Sequence, residues 1–149
     1  MKISARDEYA CSAVLELALN YDGETPVRVQ DIAQRQGIPM KFLFQIMQIL
    51  KRVDIVRSRR GTEGGYSLTR APGQITVGDV IHAMSGPFVQ LSCLDSGNFA
   101  DDCGKQNKCE FKPVWAEVDR AIGSVLNNIT FEELARRARM NQRQLMYHI

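Results

Sequence analysis

The segment that most constrains the fold is residues 92–110, SCLDSGNFADDCGKQNKCE, which contains three of the four cysteines in the chain. Only two of its side chains are large and apolar, and they follow neither a helical nor a strand period. Because such a segment cannot bury a face of its own, it is predicted to be a loop that joins two folded parts. Nine residues separate Cys93 from Cys103, and five separate Cys103 from Cys109. Three thiols on one loop can converge on a single metal ion or cluster, so this loop is a candidate site.

The composition is that of an ordinary globular protein. The 149 residues are 44% hydrophobic and 24% charged. No run approaches the roughly 18 apolar residues of a membrane span, and the N-terminus MKISARDEYA lacks the apolar core of a secretory signal. We therefore expect a cytoplasmic protein. Thiols stay reduced there, which favours metal binding or redox sensing over a structural disulfide.

The net charge of +2 is unevenly distributed. Residues 1–70 carry 11 basic and 8 acidic side chains, whereas residues 71–110 carry 2 basic and 5 acidic ones. Between Lys51 and Arg60, five basic side chains accompany a single acid, Asp54. A local basic patch of this kind is typical of a surface that binds a polyanion, although a charge run alone is more often a solvated face.

The N-terminal segment is predicted to be a helix over residues 5–20. Its apolar residues recur at helical spacing, Ser4 is a suitable N-cap, and Asp7 stands in the first turn, where an acid favours the helix dipole. Cys11 lies on the apolar stripe. It is predicted to be a small buried core residue rather than a ligand.

Two further helices, residues 27–36 and 39–51, are separated by Gly37 and predict a helix-turn-helix. The apolar side chains of the second helix are predicted to be buried: Phe42, Leu43, Ile46, Met47, Ile49 and Leu50. Its polar face, which would lie in a DNA major groove, carries Lys41, Gln45 and Gln48.

A basic β-hairpin follows directly. Residues 55–59 and 66–69 alternate apolar and polar, and the link RGTEGG contains three glycines, which suit a tight turn. A basic hairpin after a helix-turn-helix is typical of a DNA-binding wing. We expect Gln45 to read adenine, Lys41 to reach guanine and Arg60 to enter a narrow minor groove. The side chains expected to meet phosphates are Lys51, Arg52, Arg57 and Arg59.

The C-terminal half predicts more helices. Residues 76–84 form a short helix capped by Thr76, on which His82 is predicted to be a surface residue. Residues 113–128 form one long amphipathic helix whose apolar seam is typical of a helix that packs on a partner. A capping box at residues 130–133 starts a last helix through Arg139.

The predicted fold is thus mainly α with a small β-hairpin. Its parts are a winged helix-turn-helix domain (1–85), a cysteine-bearing cluster loop (86–111), a dimerisation helix with a short C-terminal helix (112–139) and a flexible tail (140–149).

These features together resemble the Rrf-type winged-helix iron–sulfur transcription regulators of bacteria. The resemblance covers about residues 1–135 and depends on the start MKIS, the run IPMKFLFQIMQILKR, the wing VRSRRGTEGGYSLTR and the three-cysteine loop before a long helix. It implies a homodimer whose long helices cross at the interface and which binds a pseudo-palindromic operator in double-stranded DNA. It also implies an iron–sulfur cluster, 2Fe-2S or 4Fe-4S, held by Cys93, Cys103 and Cys109, that senses redox, iron or nitric oxide status.

A fourth cluster ligand is needed, because three thiolates leave one position of the iron open. Glu8 aligns with an acidic residue that nitric-oxide-sensing members donate from the partner subunit, and Asp7 is the next choice. Other candidates are His82, Asp95, Asp101, Asp102, Glu110 or a small exogenous thiol.

The chain departs from the family pattern in three places. The spacing between the first two cysteines is longer than is common. Phe44 stands where many members have Glu, and Lys112 replaces the His that completes the cluster in some members.

The three loop cysteines are also compatible with roles that need no cluster: a structural zinc site, a reversible disulfide, or inert thiols. An enzyme is not expected. The sequence lacks a nucleotide-binding loop, a Ser/His/Asp pattern, a CxxC motif and a metal-hydrolase motif, and it has two histidines in all.

Overall fold

The computed structural model describes residues 3–91, 94 and 109–147, with side chains as far as residue 144. It is mainly helical with one two-stranded antiparallel sheet, which confirms the predicted fold class. The elements are α1 (Ala5–Leu19), α2 (Val29–Gln36), α3 (Met40–Arg52), β1 (Val56–Arg59), β2 (Gly65–Leu68), a 3-10 turn (Pro72–Gln74), α4 (Val77–Ser85), α5 (Phe111–Leu126) and α6 (Phe131–Tyr147).

No helix within these described ranges is long and apolar enough to cross a membrane.

Helix α1 lies at the centre of the core. The predicted cap is present, because Ser4 and Asp7 form a reciprocal capping box at its start. Its inner face packs against α2, α3, α4 and α6 through side chains that are at most 3% exposed: Ala10, Ala13, Val14, Leu17 and Ala18. Burial of this face is what ties the other helices into one domain.

The helix-turn-helix is confirmed by α2 and α3. Gly37 ends α2 in the left-handed conformation with φ of 63°, which glycine adopts without steric cost. Helix α3 begins at Met40, and its core face consists of Leu43, Ile46, Met47 and Leu50. The predicted burial of Phe42 was wrong. Phe42 is 42% exposed and its ring lies beside Tyr9, because it stands at the edge of the apolar arc.

The hairpin has the register Val56↔Leu68 to Arg59↔Gly65. Val27 pairs with Tyr66 through two backbone hydrogen bonds of 2.8 Å, which attaches the wing to the turn before α2. A Cβ atom on Gly65 would lie 2.2 Å from the carbonyl oxygen of Val27. Glycine is therefore required there for the backbones to approach.

Helix α4 begins at the predicted Thr76–Asp79 capping box. After α5, Thr130 pairs with Thr76, and Phe131, which is fully buried, enters the same core as α1. Helix α6 therefore packs on the winged-helix unit. The predicted end of the last helix at Arg139 was wrong, because α6 continues to Tyr147. Residues 140–147 have no Gly or Pro and contain good helix formers.

Helix α5 matches the predicted long amphipathic helix. Pro113 lies in its first turn, where the missing N–H is tolerated. The C-terminal end of α5 approaches α4 closely, since a Cβ atom on Gly78 would lie 1.8 Å from Oδ1 of Asn127. Its apolar stripe, by contrast, is exposed along much of its length, with exposed fractions of 39–58% for Phe111, Val114, Trp115, Val118 and Val125.

Candidate DNA-binding surface and cysteine site

The outer face of α3 presents the predicted reading side chains to solvent. Lys41, Gln45 and Gln48 are all exposed, and successive members are one helical turn apart. They lie opposite the buried arc that fixes the helix in the core. An exposed polar face on the second helix of a helix-turn-helix is the geometry that enters a major groove.

Helix α3 and the wing are joined by a direct contact. Nζ of Lys51 donates to Oγ of Ser58 on β1 at 2.7 Å, and Nε of Arg52 donates to the Gln48 carbonyl oxygen at 3.4 Å. Both basic side chains are exposed. The Lys51–Ser58 contact links α3 to the hairpin, and both cations remain at the surface.

The arginines of the wing are not equivalent. Arg57 donates to Oγ of Ser67 and to the carbonyl oxygen of Gly23, both at 3.1 Å, so it braces the hairpin against the α1–α2 turn. Arg59 and Arg60 are exposed, and neither side chain has a hydrogen bond or ion pair within the part of the chain that the structure describes. These two are therefore better placed than Arg57 to meet a partner.

Arg28 is a wing contact that sequence reasoning missed. It directly precedes α2, is exposed, and donates through Nη2 to the carbonyl oxygen of Thr62 at the wing tip at 3.3 Å. The indication of this role in the sequence was a single basic residue near the start of a predicted helix. Its partner is 34 positions away, so local sequence gave no reason to connect the two.

The cysteine site is described only in part. Cys109 is a free, half-buried thiol just before the residue that caps α5. Cys93 and Cys103 lie outside the described residues, as do Asp95, Asp101 and Asp102. Among the residues that are described, no three or more His, Cys, Asp or Glu side chains are grouped to hold a metal ion.

The two candidate carboxylate ligands have different surroundings. Asp7 is 1% exposed and accepts hydrogen bonds from Ser4 N (2.8 Å), Ser4 Oγ (2.7 Å) and Ser85 Oγ (2.6 Å). Burial favours its neutral acid, but these bonds and the Arg6 charge outweigh burial and keep the pKa of Asp7 below its usual value. Glu8 is exposed on the first turn of α1. The carboxylate of Glu8 is thus open to solvent, whereas that of Asp7 already holds α1 to α4.

Cys11 lies on the core side of α1 as predicted, but it is half-buried rather than buried. It packs against the core, and burial together with the Asp7 carboxylate raises the pKa of its thiol to about 11. A thiol held neutral in this way is a poor metal ligand and nucleophile. His82 is exposed, with its ring edge-on to Phe88 at 6.0 Å, as expected for a surface residue.

The fold and this surface define a class: a winged-helix DNA-binding transcription regulator. The chain belongs to the Rrf2 family, whose profile, described as an iron-dependent transcriptional regulator, matches residues 3–137. The IscR regulator of Cronobacter sakazakii is 36% identical over 134 residues, covering 90% of this chain and 80% of the relative. These relatives are regulators rather than enzymes.

Two solved structures share the fold at a TM-score of 0.71. CymR, the global cysteine regulator of B. subtilis, is 31% identical and covers 92% of this chain and 98% of its own. IscR of T. potens is 33% identical and covers 93% and 88%. The likeness extends along nearly the whole of each chain.

Proposed function

We propose that this protein is a homodimeric regulator whose affinity for a pseudo-palindromic operator is controlled by an iron–sulfur cluster. The cluster ligands would be Cys93, Cys103, Cys109 and Glu8. Binding to chromosomal DNA would place the protein in the bacterial cytosol. The observation that carries the proposal is the presence of a three-thiol loop directly ahead of α5 in a chain of the Rrf2 family.

The DNA-binding part of the proposal is supported by one continuous surface. Lys41 and Gln45 on α3 would read bases, while Lys51, Arg52, Arg59 and Arg60 would surround them with positive charge for phosphates and a minor groove. Arg57 would act as a brace for the wing, because its guanidinium is already bonded within the protein.

The dimer is supported by α5. Its exposed apolar side chains form one stripe, because they recur at steps of three, four and seven residues. An exposed apolar stripe of this length is typical of a surface that is covered by a partner. We expect that partner to be a second copy of this chain. A two-fold axis between the two α5 helices would also place two copies of α3 on successive half-sites of one duplex.

The donor set fits an iron–sulfur cluster. Thiolates are the usual protein ligands of such clusters, and an exposed carboxylate from Glu8 can supply the remaining oxygen ligand. When bound, the cluster would supply iron that reacts with oxidants or nitric oxide. Asp7 is the weaker candidate, because its release would break three hydrogen bonds and take the acceptor away from the Ser4 and Ser85 donors.

The cysteine loop is attached at both ends to elements that matter for DNA binding. Before the loop, Ser85 is held to Asp7 at the start of α1, and Gln90 donates to the Ser85 carbonyl oxygen at 2.7 Å. After the loop, Cys109 leads directly into α5. A change on the loop would therefore act on α1 and on the dimer helix. Coupling of this kind typically changes affinity about 5–150-fold.

The decisive experiment compares cysteine variants prepared without oxygen and supplied with ferrous iron and sulfide. We expect wild-type protein to show visible absorbance with bound iron and acid-labile sulfide, and Cys93→Ala, Cys103→Ala or Cys109→Ala to lose all three. Cys11→Ala is the matched control, because that thiol packs against the core and is held protonated, and the variant should keep the cluster. A colourless wild-type protein with stoichiometric zinc would contradict the cluster.

A thiol switch without a cluster is the second candidate. It is favoured by the structural likeness to CymR, of which the Staphylococcus aureus protein has been solved in an oxidized form. If this candidate is right, mild oxidation of metal-free protein alters operator affinity and reductant reverses the change. The same oxidation of a cluster-controlled protein without its cluster would leave affinity nearly constant.

A further inference from the structure

The reading face of α3 contains a large apolar side chain that neither the proposed phosphate contacts nor the core uses. This residue is Phe44, which lies in the first half of α3 and is 47% exposed. Exposed apolar residues are common singly on protein surfaces. Phe44 differs from such isolated residues because it lies beside polar side chains of α3 that are proposed to contact bases.

Phe44 belongs to a contiguous patch. Phe44 is three residues from Lys41 and four from Gln48, so it neighbours both on the helix surface, and Gln45 neighbours the same two residues from the other side. All four are exposed and face away from the buried arc. A ring here would enter the major groove together with the polar side chains beside it.

The major groove offers one apolar feature, the 5-methyl group of thymine, and apolar side chains such as Phe contact it. An acidic side chain at the same place would accept a hydrogen bond from the cytosine amino group instead. We propose that Phe44 is a specificity-determining residue that reads a thymine methyl group in each operator half-site, beside the bases met by Lys41 and Gln45. This inference rests on the proposed DNA-binding function.

The test begins with duplexes selected from a random library by wild-type protein. Each thymine of the selected site is then replaced by deoxyuridine, which removes only the methyl group. We expect one position per half-site at which the replacement weakens wild-type binding about fourfold, the value of one buried methyl group of about 0.8 kcal/mol. Phe44→Ala should bind thymine and uracil duplexes equally at that position.

Phe42→Ala is the matched control, because Phe42 is 42% exposed on the same helix but lies outside the patch, against Tyr9. It should keep the fourfold methyl effect. A duplex with 5-methylcytosine at that position should bind wild-type protein more tightly than a duplex with cytosine there. Phe44→Ala should bind the two duplexes equally.

Two results would overturn the inference. In the first, selection yields a consensus site, but wild type and Phe44→Ala discriminate thymine from uracil equally. This result would reject the role of Phe44 and leave the proposed function intact. Failure of wild-type protein to enrich any sequence would reject the proposed base reading, and this inference with it.

Discussion

At the residue scale, the buried carboxylate of Glu16 joins two helices. Glu16 is 4% exposed on α1 and accepts hydrogen bonds from Arg35 (2.9 Å) and Gln36 (2.8 Å) on α2 and from Asn20 (2.8 Å). Burial alone would raise its pKa, but these partners outweigh burial, so the pKa of Glu16 lies below its usual value. The ionised form therefore stabilises the fold.

We expect Glu16→Gln to lower the free energy of unfolding by about 1–3 kcal/mol at pH 7. Since the folded pKa is depressed, the advantage of the wild type is complete above the unfolded-state pKa of about 4.3 and is lost as pH falls through the folded value. Urea unfolding of both proteins between pH 7 and pH 3 checks this. A stability difference that stayed constant over that range would show that the charge is unimportant.

At the element scale, the wing depends on the close approach of β2 to the turn before α2. We expect Gly65→Ala to destabilise the protein by about 1–3 kcal/mol, because its Cβ would lie 2.2 Å from a backbone oxygen that cannot move aside freely. DNA affinity should fall as well, since Arg59 and Arg60 are carried on this hairpin.

Gly73→Ala is the control for that substitution. Its Cβ would meet only the flexible end of the Glu132 side chain, at 2.8 Å, so we expect a change within about 0.5 kcal/mol. Thermal unfolding and operator titration of the two variants separate a wing effect from a general intolerance of alanine. Equal behaviour of both variants would argue against a specific wing contact.

At the scale of the whole molecule, the proposed dimer would depend on the exposed apolar stripe of α5. Val118, 39% exposed, lies near the middle of that stripe. We expect Val118→Glu to weaken the dimer at least about a hundredfold, because two copies each lose about 1.5 kcal/mol of apolar burial and bring in a charge. Sedimentation at micromolar concentration measures the change.

Glu117→Ala, one residue away on the polar side of α5, should leave the dimer intact. Operator binding should fall in step with dimer loss, since two half-sites would no longer be held together. A Val118→Glu protein that sediments like the wild type would remove α5 from the interface.

Local patterns in the sequence determined most of the elements. The capping boxes of α1 and α4, the left-handed Gly37 and the alternating hairpin depend on residues within a few positions of one another, so they could be predicted directly. The four exposed cations Lys51, Arg52, Arg59 and Arg60 and the half-buried thiol of Cys109 were also identifiable by type and spacing.

Only the tertiary structure decided which of these groups are free. In the folded chain, Arg57 donates a hydrogen bond to Gly23, and Arg28 donates one to the wing tip. Asp7 accepts a hydrogen bond from Ser85, and Phe131 packs in the same core as α1. Each of these contacts joins residues more than 30 positions apart. Their partners are selected by how the helices pack against α1, a property of the whole chain that no local pattern contains.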